Sequence, residues 1–117
     1  MAIETNPSSM KQEIAFAWTL KEGDPRRPRL HQKLFGQKVS KPLKDGTIKD
    51  YFYDGILYKW VDGKRVVDCH HTILNESLFS IPDMEDSYIP AIMDTFKNLK
   101  ITVRRLRLVE NKLFVFR

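Results

Sequence analysis

The stretch QKVSKPLKDGTIKDYFYDGILYKWVDGKRVVD, from Gln37 to Asp68, decides the expected fold of this chain. It contains three Asp-Gly pairs, which separate short runs rich in Val, Ile, Tyr, Phe and Trp. Asp-Gly between such runs indicates a tight hairpin turn, because glycine readily adopts the positive φ that a type I′ turn requires. The stretch therefore predicts a β-meander over about residues 37–69, with strands near 37–43, 47–53, 56–61 and 64–69.

A half-buried strand is expected ahead of the meander, because apolar residues alternate strictly with small or polar ones over residues 13–20. Trp18 lies on the apolar side of this strand and is predicted to anchor the core. A helix of about two turns follows. Pro28 is its favoured first residue, Asp24 is an alternative N-cap, and Gly36 is the expected residue just beyond its end.

The clearest helix signal comes after the meander, over about residues 86–99. Its apolar positions recur at three- and four-residue spacing, at Ile89, Ile92, Met93, Phe96 and Leu99. A C-terminal β-hairpin is expected to follow, with strands over about residues 101–109 and 113–116. The apolar residues of the first of these strands change phase at Arg104-Arg105, which predicts a β-bulge there.

These elements together predict an α+β fold with a mainly antiparallel sheet, and their order leaves an OB-like β-barrel with a helix as the alternative. Residues 1–11 are expected to form a flexible lead-in, and residues 12–117 a single α+β domain. The one cysteine, Cys69, and the lack of a secretory leader favour a cytoplasmic location. No apolar run approaches the roughly 20 residues of a membrane span, so no membrane association is expected.

Charge is distributed unevenly along a chain whose formal net charge is +5. Residues 26–49 and 96–117 form two basic blocks, each with one acidic residue. Residues 76–94 are acidic, which the helix that follows explains, since negative charge is favourable at a helix N-terminus. The basic blocks favour anionic partners such as nucleic acid.

The leading functional prediction is a small basic intracellular nucleic-acid-binding module, an RNA or ribonucleoprotein accessory factor that contacts phosphates without strong sequence readout. RNA is favoured over DNA, because aromatic residues exposed on a sheet can stack on unpaired bases. The predicted phosphate contacts are Arg26, Arg27, Arg29, Lys33, Lys38, Lys41, Lys44, Arg104, Arg105 and Arg107. The predicted stacking residues are Tyr51, Tyr53, Tyr58 and Trp60. A solvated basic face and core positions for the aromatic residues are the competing interpretations.

The run Asp68-Cys69-His70-His71 contains residue types that bind transition metals. Adjacent residues on a strand point to opposite faces and cannot all converge on one ion, so Cys69, His70 and His71 are weak metal candidates. Catalysis by Cys69 with either histidine would also need a third group to orient them. Glycine-rich phosphate loops and nucleophile elbows are missing from the sequence, and no cofactor or catalytic residue is predicted.

Two other functional classes stay open. A protein-interaction subunit would bind an acidic partner through its basic surface, or would form a homodimer through the strand 113–116. A metal-dependent nuclease is the less favoured alternative, because it requires carboxylates that converge on a metal ion. The carboxylates considered for it are Asp50, Asp54, Asp62 and Asp68, with Lys64 nearby in sequence.

Overall fold

The computed structural model describes residues 12–109. Its strands are β1 (Gln12–Trp18), β2 (Gln37–Pro42), β3 (Ile48–Tyr53), β4 (Tyr58–Val61), β5 (Lys64–Val67), β6 (Thr72–Asn75), β7 (Leu78–Pro82) and β8 (Val103–Val109). Its helices are α1 (Arg26–Phe35) and α2 (Ile89–Asn98), and a 3₁₀ segment (Asp83–Tyr88) leads into α2. The expected lead-in, residues 1–11, and the expected final strand, residues 113–116, lie outside the described residues.

The main sheet is antiparallel, and its strand order is β6-β7-β1-β8. Phe16 of β1 is directly opposite Phe79 of β7, and the two ring centroids are 5.2 Å apart. In the part of the chain that the structure describes, β6 and β8 form the two edges, and the sheet is not closed into a barrel. The predicted α+β fold with a mainly antiparallel sheet is therefore confirmed, and the alternative OB-like barrel is wrong.

Both α-helices pack on one face of the main sheet and complete the core. Trp18 is half-buried, and its ring centroid lies 5.2 Å from that of Phe96 in α2. Phe35 of α1 lies 6.5 Å from Phe79 of β7, measured between ring centroids. Ile92 and Phe96 of α2 are fully buried, which confirms the predicted apolar stripe. Neither of the two described α-helices is long and apolar enough to cross a membrane.

Helix α1 begins at Arg26, earlier than the favoured start at Pro28. Asp24 determines this start, because its Oδ1 accepts a hydrogen bond of 2.9 Å from the backbone N–H of Arg26. The first residue after the helix is Gly36, as predicted, and its φ of 79° lies in the region that favours glycine.

Strand β8 pairs with β1 in an unbroken antiparallel register, so the β-bulge predicted at Arg104-Arg105 is wrong. Successive residues of a strand point to alternate faces, and Leu106 and Leu108 therefore lie on the face of the sheet away from the helices. Both leucines are half-buried there, and Leu106 is directly opposite the fully buried Ala15. A second apolar face explains the change of phase that suggested a bulge.

Two of the three Asp-Gly pairs connect the strands of hairpins. Asp62-Gly63 forms the predicted type I′ turn between β4 and β5, since both residues have positive φ, 50° and 77°. Asp45-Gly46 lies in a longer connection between β2 and β3, and Gly46 alone of that pair has a positive φ. The connection is therefore not the two-residue turn that the sequence suggested.

The third pair, Asp54-Gly55, is not a hairpin turn, because β3 and β4 belong to separate two-stranded sheets. Its glycine packs against the end of α1, where an added Cβ would lie 2.5 Å from the carbonyl oxygen of Leu34. The next two residues bond to the same helix end. Ile56 N–H donates to the Lys33 carbonyl (3.0 Å), and Leu57 N–H donates to the Leu34 carbonyl (2.8 Å). We call residues 55–57 the root segment, since it connects the β2–β3 hairpin to the β4–β5 hairpin.

Gly55→Ala is expected to lower the free energy of unfolding by about 3 kcal/mol, because two hydrogen-bonded backbone segments leave no space for a methyl group. Urea unfolding followed by circular dichroism measures this loss. Gly23→Ala is the matched control. Its φ of 83° strains an alanine but nothing lies within 4 Å of the new Cβ, so a loss of about 1 kcal/mol is expected. Equal losses in the two variants would contradict the close approach.

Candidate nucleic-acid interface

One face of the β2–β3 hairpin carries two lysines and two tyrosines. Lys41 of β2 is directly opposite Lys49 of β3, and Tyr51 and Tyr53 follow on the same face at every second residue. We call Lys41, Lys49, Tyr51 and Tyr53 the Lys–Tyr face. Both lysines and Tyr53 are exposed, whereas Tyr51 is half-buried.

The two lysines of this face share one aromatic ring. Their Nζ atoms lie 5.5 Å (Lys41) and 5.3 Å (Lys49) from the ring centroid of Tyr51. A cation–π contact at an exposed site contributes about 0.5–1 kcal/mol, but like charges directly opposite each other on a sheet are destabilising. The two lysines therefore concentrate positive charge at one place. An anion bound to both ammonium groups would reduce the repulsion between them.

The carboxylates of the same hairpin do not neutralise this face. Asp50 lies on the opposite face, where it accepts a hydrogen bond of 2.6 Å from Ser40 and pairs with Lys38 at 3.7 Å. Asp45 lies in the connection between the strands. Hydrogen bonds from the hydroxyl and the backbone N–H of Thr47 lower the pKa of its carboxyl group.

Arg26, one of the predicted phosphate contacts, has a structural role. Its guanidinium forms a salt bridge of 2.7 Å with Asp24 and donates a hydrogen bond of 2.8 Å to the carbonyl oxygen of Lys100. Hydrogen bonds from the side chain and the backbone N–H of Arg26 hold the pKa of the Asp24 carboxyl at about 2. Arg26 thereby joins the start of α1 to the segment after α2, and the first basic block to the second.

The other cations of the first block differ in their surroundings. Arg27 is half-buried, and its guanidinium lies 3.8 Å from the exposed carboxylate of Glu76. Arg29 and Lys33 are exposed on α1, and Lys44 is exposed in the connection between β2 and β3. These last three side chains are accessible to an anion, although none of them belongs to the Lys–Tyr face.

The arginines of β8 are divided between the two faces of the main sheet. Arg104 lies on the face away from the helices, and Arg105 and Arg107 lie on the face that the helices cover. Arg107 donates a hydrogen bond of 2.9 Å to Gln12 and lies 3.6 Å from the carboxylate of Asp83. All three are exposed, but the alternation of the strand prevents them from forming one anion site.

Two of the predicted stacking residues are engaged within the fold. The ring centroid of Trp60 lies 5.0 Å from that of Phe52, and its Nε1–H donates to the carbonyl oxygen of Tyr53. Tyr58 lies beneath the guanidinium of Arg65, whose central carbon is 4.2 Å from the ring centroid. The other two predicted residues are the tyrosines of the Lys–Tyr face.

The side chains of the Cys69-His70-His71 run do not converge. The Cys69 thiol is buried, and its burial, with the nearby carboxylates of Glu85 and Asp68, raises its pKa to about 12. His70 is exposed, whereas His71 is half-buried with its Nδ1 2.8 Å from the carbonyl oxygen of Cys69. A thiol that stays protonated is a poor nucleophile and a poor metal ligand.

The carboxylates considered for a nuclease are also separate from one another. Asp54 accepts a hydrogen bond from the backbone N–H of Trp60, and Asp68 accepts one from the hydroxyl of Tyr88. Asp62 lies in the type I′ turn. Within residues 12–109, no three side chains of His, Cys, Asp or Glu lie close enough together to hold a metal ion.

Lys49 was missing from the predicted phosphate contacts, because no register was predicted for the first hairpin. A two-residue turn at Asp45-Gly46 would place Lys41 opposite Asp50, whereas the observed connection, residues 43–47, is longer and places it opposite Lys49. Arg65 was also missed. It carried no signal in the sequence, since it reaches the end of α1 only when the β4–β5 hairpin folds back.

No protein family, no curated protein and no solved structure matches this chain.

The Asp24–Arg26 pair is expected to stabilise the fold by an amount that depends on pH. The folded pKa of Asp24, about 2, is below its ordinary value of 3.8, so the ionised form stabilises the fold above about pH 4. This contribution is lost as the pH falls from about 4 to 2. Asp24→Asn should therefore lower the melting temperature at pH 7, and the difference from the parent should shrink toward pH 2.

Melting temperatures between pH 2 and pH 7 measure this effect. Asp94→Asn, which removes an exposed carboxylate from α2, controls for the loss of one negative charge. A difference between parent and Asp24→Asn that stays constant over the whole pH range would contradict the role of the ionised carboxylate.

Proposed function

We propose that this protein binds single-stranded nucleic acid through the Lys–Tyr face, with RNA favoured over DNA. It acts as a small cytoplasmic accessory factor that contacts phosphates without strong sequence readout. The observation that carries the proposal is the pair of lysines, Lys41 and Lys49, held opposite each other over Tyr51 on an exposed hairpin. The net charge of +5 supports it, because a basic protein attracts polyanions at long range.

Each half of the face matches one part of a nucleotide. Lysine ammonium groups bind phosphate oxygens, and each such contact releases counterions from the strand. The Tyr53 side chain is 42% exposed and offers ring surface on which an unpaired base can stack. Because stacking of this kind requires unpaired bases, it favours single strands, and RNA presents such bases in loops and at ends.

Other cations extend the phosphate contact beyond the Lys–Tyr face. Lys44 is exposed at the far end of the hairpin, and Arg29 and Lys33 are exposed on α1. Gly36 alone separates α1 from β2, so a strand bound along the hairpin reaches the end of the helix. The weaker contacts in this proposal are Arg26, Lys38 and Arg107, because each already lies near a carboxylate, at 2.7 Å, 3.7 Å and 3.6 Å.

Replacing both lysines, in the double variant Lys41→Ala with Lys49→Ala, should weaken binding to oligouridylate RNA and change its salt dependence. Each phosphate contact on a single strand contributes about 0.7 to the slope of log K against log salt, so the slope should fall by about 1.4. Fluorescence anisotropy at several salt concentrations measures both quantities for the parent and the variant.

Two variants serve as controls for this experiment. Lys64→Ala with Lys97→Ala removes the same charge from other elements and should leave the slope nearly unchanged. Tyr53→Leu removes the stacking surface but no charge, so it should lower the affinity about tenfold without changing the slope. Equal falls in slope for the two lysine double variants would contradict the Lys–Tyr face as the binding site.

A second candidate function, a homodimer, is favoured by exposed apolar side chains on the edge strand β6. Ile73 is 53% exposed and Leu74 is 46% exposed, and within residues 12–109 β7 is the one strand that pairs with β6. An apolar edge strand presents unpaired backbone groups with which a second copy can pair. The strand 113–116, which the sequence suggested for this contact, lies outside the described residues.

Leu74→Lys tests the dimer, because a charge on the edge strand disfavours pairing between two copies. The parent should show a mass that rises with concentration in sedimentation velocity, and the variant should stay monomeric. Val61→Lys, at an exposed position of β4, is the control. A parent mass that does not depend on concentration would remove this candidate.

A further inference from the structure

A cleft of about 600 Å³ opens beside α1, apart from the Lys–Tyr face. Four aromatic rings line it, those of Trp18, Phe35, Tyr58 and Phe79. The rings form one continuous group. Between ring centroids, Tyr58 lies 6.3 Å from Phe35, Phe35 lies 6.5 Å from Phe79, and Phe79 lies 5.9 Å from Trp18. A cleft of this volume with an apolar lining and a few polar groups is typical of a site for one small organic ligand.

Two guanidinium groups at this cleft have weak contacts within the protein. Arg27 faces the exposed carboxylate of Glu76 at 3.8 Å, beyond the usual length of a direct hydrogen bond. Arg65 donates one long hydrogen bond, 3.5 Å, to the carbonyl oxygen of Phe35, and lies over the ring of Tyr58. Two guanidiniums against one carboxylate leave the lining positive, and an arginine fork matches a phosphate or carboxylate geometrically.

His31 adds an imidazole that is mainly in its neutral form at neutral pH. Partial burial in the cleft and the positive charge of Arg65 lower the pKa of its imidazole below the ordinary value of 6.5. The ring lies against Phe35, with centroids 4.8 Å apart. At neutral pH it is therefore an uncharged donor and acceptor next to an aromatic surface, which suits the polar edge of a heterocycle.

We infer that the cleft binds one unstacked nucleotide of the nucleic-acid strand. The base lies against Trp18 and Phe35, the two half-buried rings of the lining that no guanidinium covers, and the phosphate is bound by Arg27 and Arg65. This inference deepens the proposed function and rests on it for the choice of ligand. An aromatic floor with cations at the rim accounts for both parts of a nucleotide, whereas a simple anion would leave the ring surface unused.

Uridine 5′-monophosphate is the direct probe, and the chain provides its own reporter. Trp18 lines the cleft and Trp60, the other tryptophan, does not, so Trp60→Phe leaves Trp18 as the one source of tryptophan fluorescence. Titration of this full-length variant, excited at 295 nm, should give a saturable change in fluorescence. Uridine and inorganic phosphate, titrated separately, should each bind more weakly than the nucleotide, because each makes part of the contact.

Matched variants in the same Trp60→Phe background locate the site. Arg65→Ala should weaken nucleotide binding about tenfold or more, since it removes a charge-assisted contact. Lys64→Ala, one residue earlier on β5 and absent from the cleft lining, should change it less than twofold. Arg27→Ala and Arg29→Ala form a second pair on α1, with the same difference expected. Circular dichroism checks that each variant is folded.

The outcomes separate this inference from the function on which it rests. No saturable response of Trp18 to the nucleotide, or equal weakening by Arg65→Ala and Lys64→Ala, would overturn the inference. Oligouridylate binding that still depends on Lys41 and Lys49 would then leave the proposed function standing. A response to the monophosphate without any binding of oligouridylate would support the nucleotide site and overturn the proposed function, because the ligand would then be a free nucleotide.

Discussion

A close backbone contact between the end of α1 and the root segment fixes both hairpins to the helical layer. Gly36 and Gly55 meet there without side chains between them, and a Cβ on Gly36 would lie 2.6 Å from the carbonyl oxygen of Tyr53. The two hydrogen bonds from the root segment pair carbonyl groups that a helix end otherwise leaves without partners. Leu57 of the same segment is fully buried, so the contact combines backbone pairing with core packing.

This contact explains why the two hairpins are separate from the main sheet. Strand β2 starts directly after Gly36 and β3 ends just before the root segment, so both strands of the first hairpin leave from one point. The carbonyl oxygen of Leu57 accepts hydrogen bonds from the N–H groups of Asp68 and Cys69, 2.9 Å and 3.2 Å long, which close the second hairpin on the same segment. The first hairpin is thereby fixed at its base while its faces stay open to solvent, and this leaves its lysines and tyrosines available to a ligand.

The features that sequence predicted well are those that depend on neighbours along the chain. The apolar stripe of α2, the glycine after α1 and the type I′ turn at Asp62-Gly63 are of this kind. The pairing of β1 with β7 and β8 was not predictable, because alternation indicates that a strand has a buried face but not which strands flank it.

The register of the first hairpin could not be predicted for a different reason. Neither of its faces is packed in the core, so no apolar pattern fixes the length of its turn, and a change of one residue in that length decides whether Lys41 is opposite Asp50 or Lys49. The cleft depends on the same long-range folding, since Arg65 comes to α1 only through the root segment.

The two candidate surfaces differ in exposure, and electrostatics therefore gives them different roles. Lys41 and Lys49 are exposed on the hairpin, where salt screens charge interactions over about 10 Å. Under the proposed function they would therefore set the rate of encounter and the salt dependence of binding. Arg27 lies half-buried at the edge of an aromatic cleft, where a bound group is shielded from water and screening is weaker. Phe35 lines the cleft, and Gly36 alone separates Phe35 from β2, the first strand of the hairpin that carries the Lys–Tyr face. The two surfaces are therefore adjacent along the chain. Under the proposed function, this proximity lets a strand that binds the hairpin also reach the cleft at its base, where burial of a base would slow release of the strand.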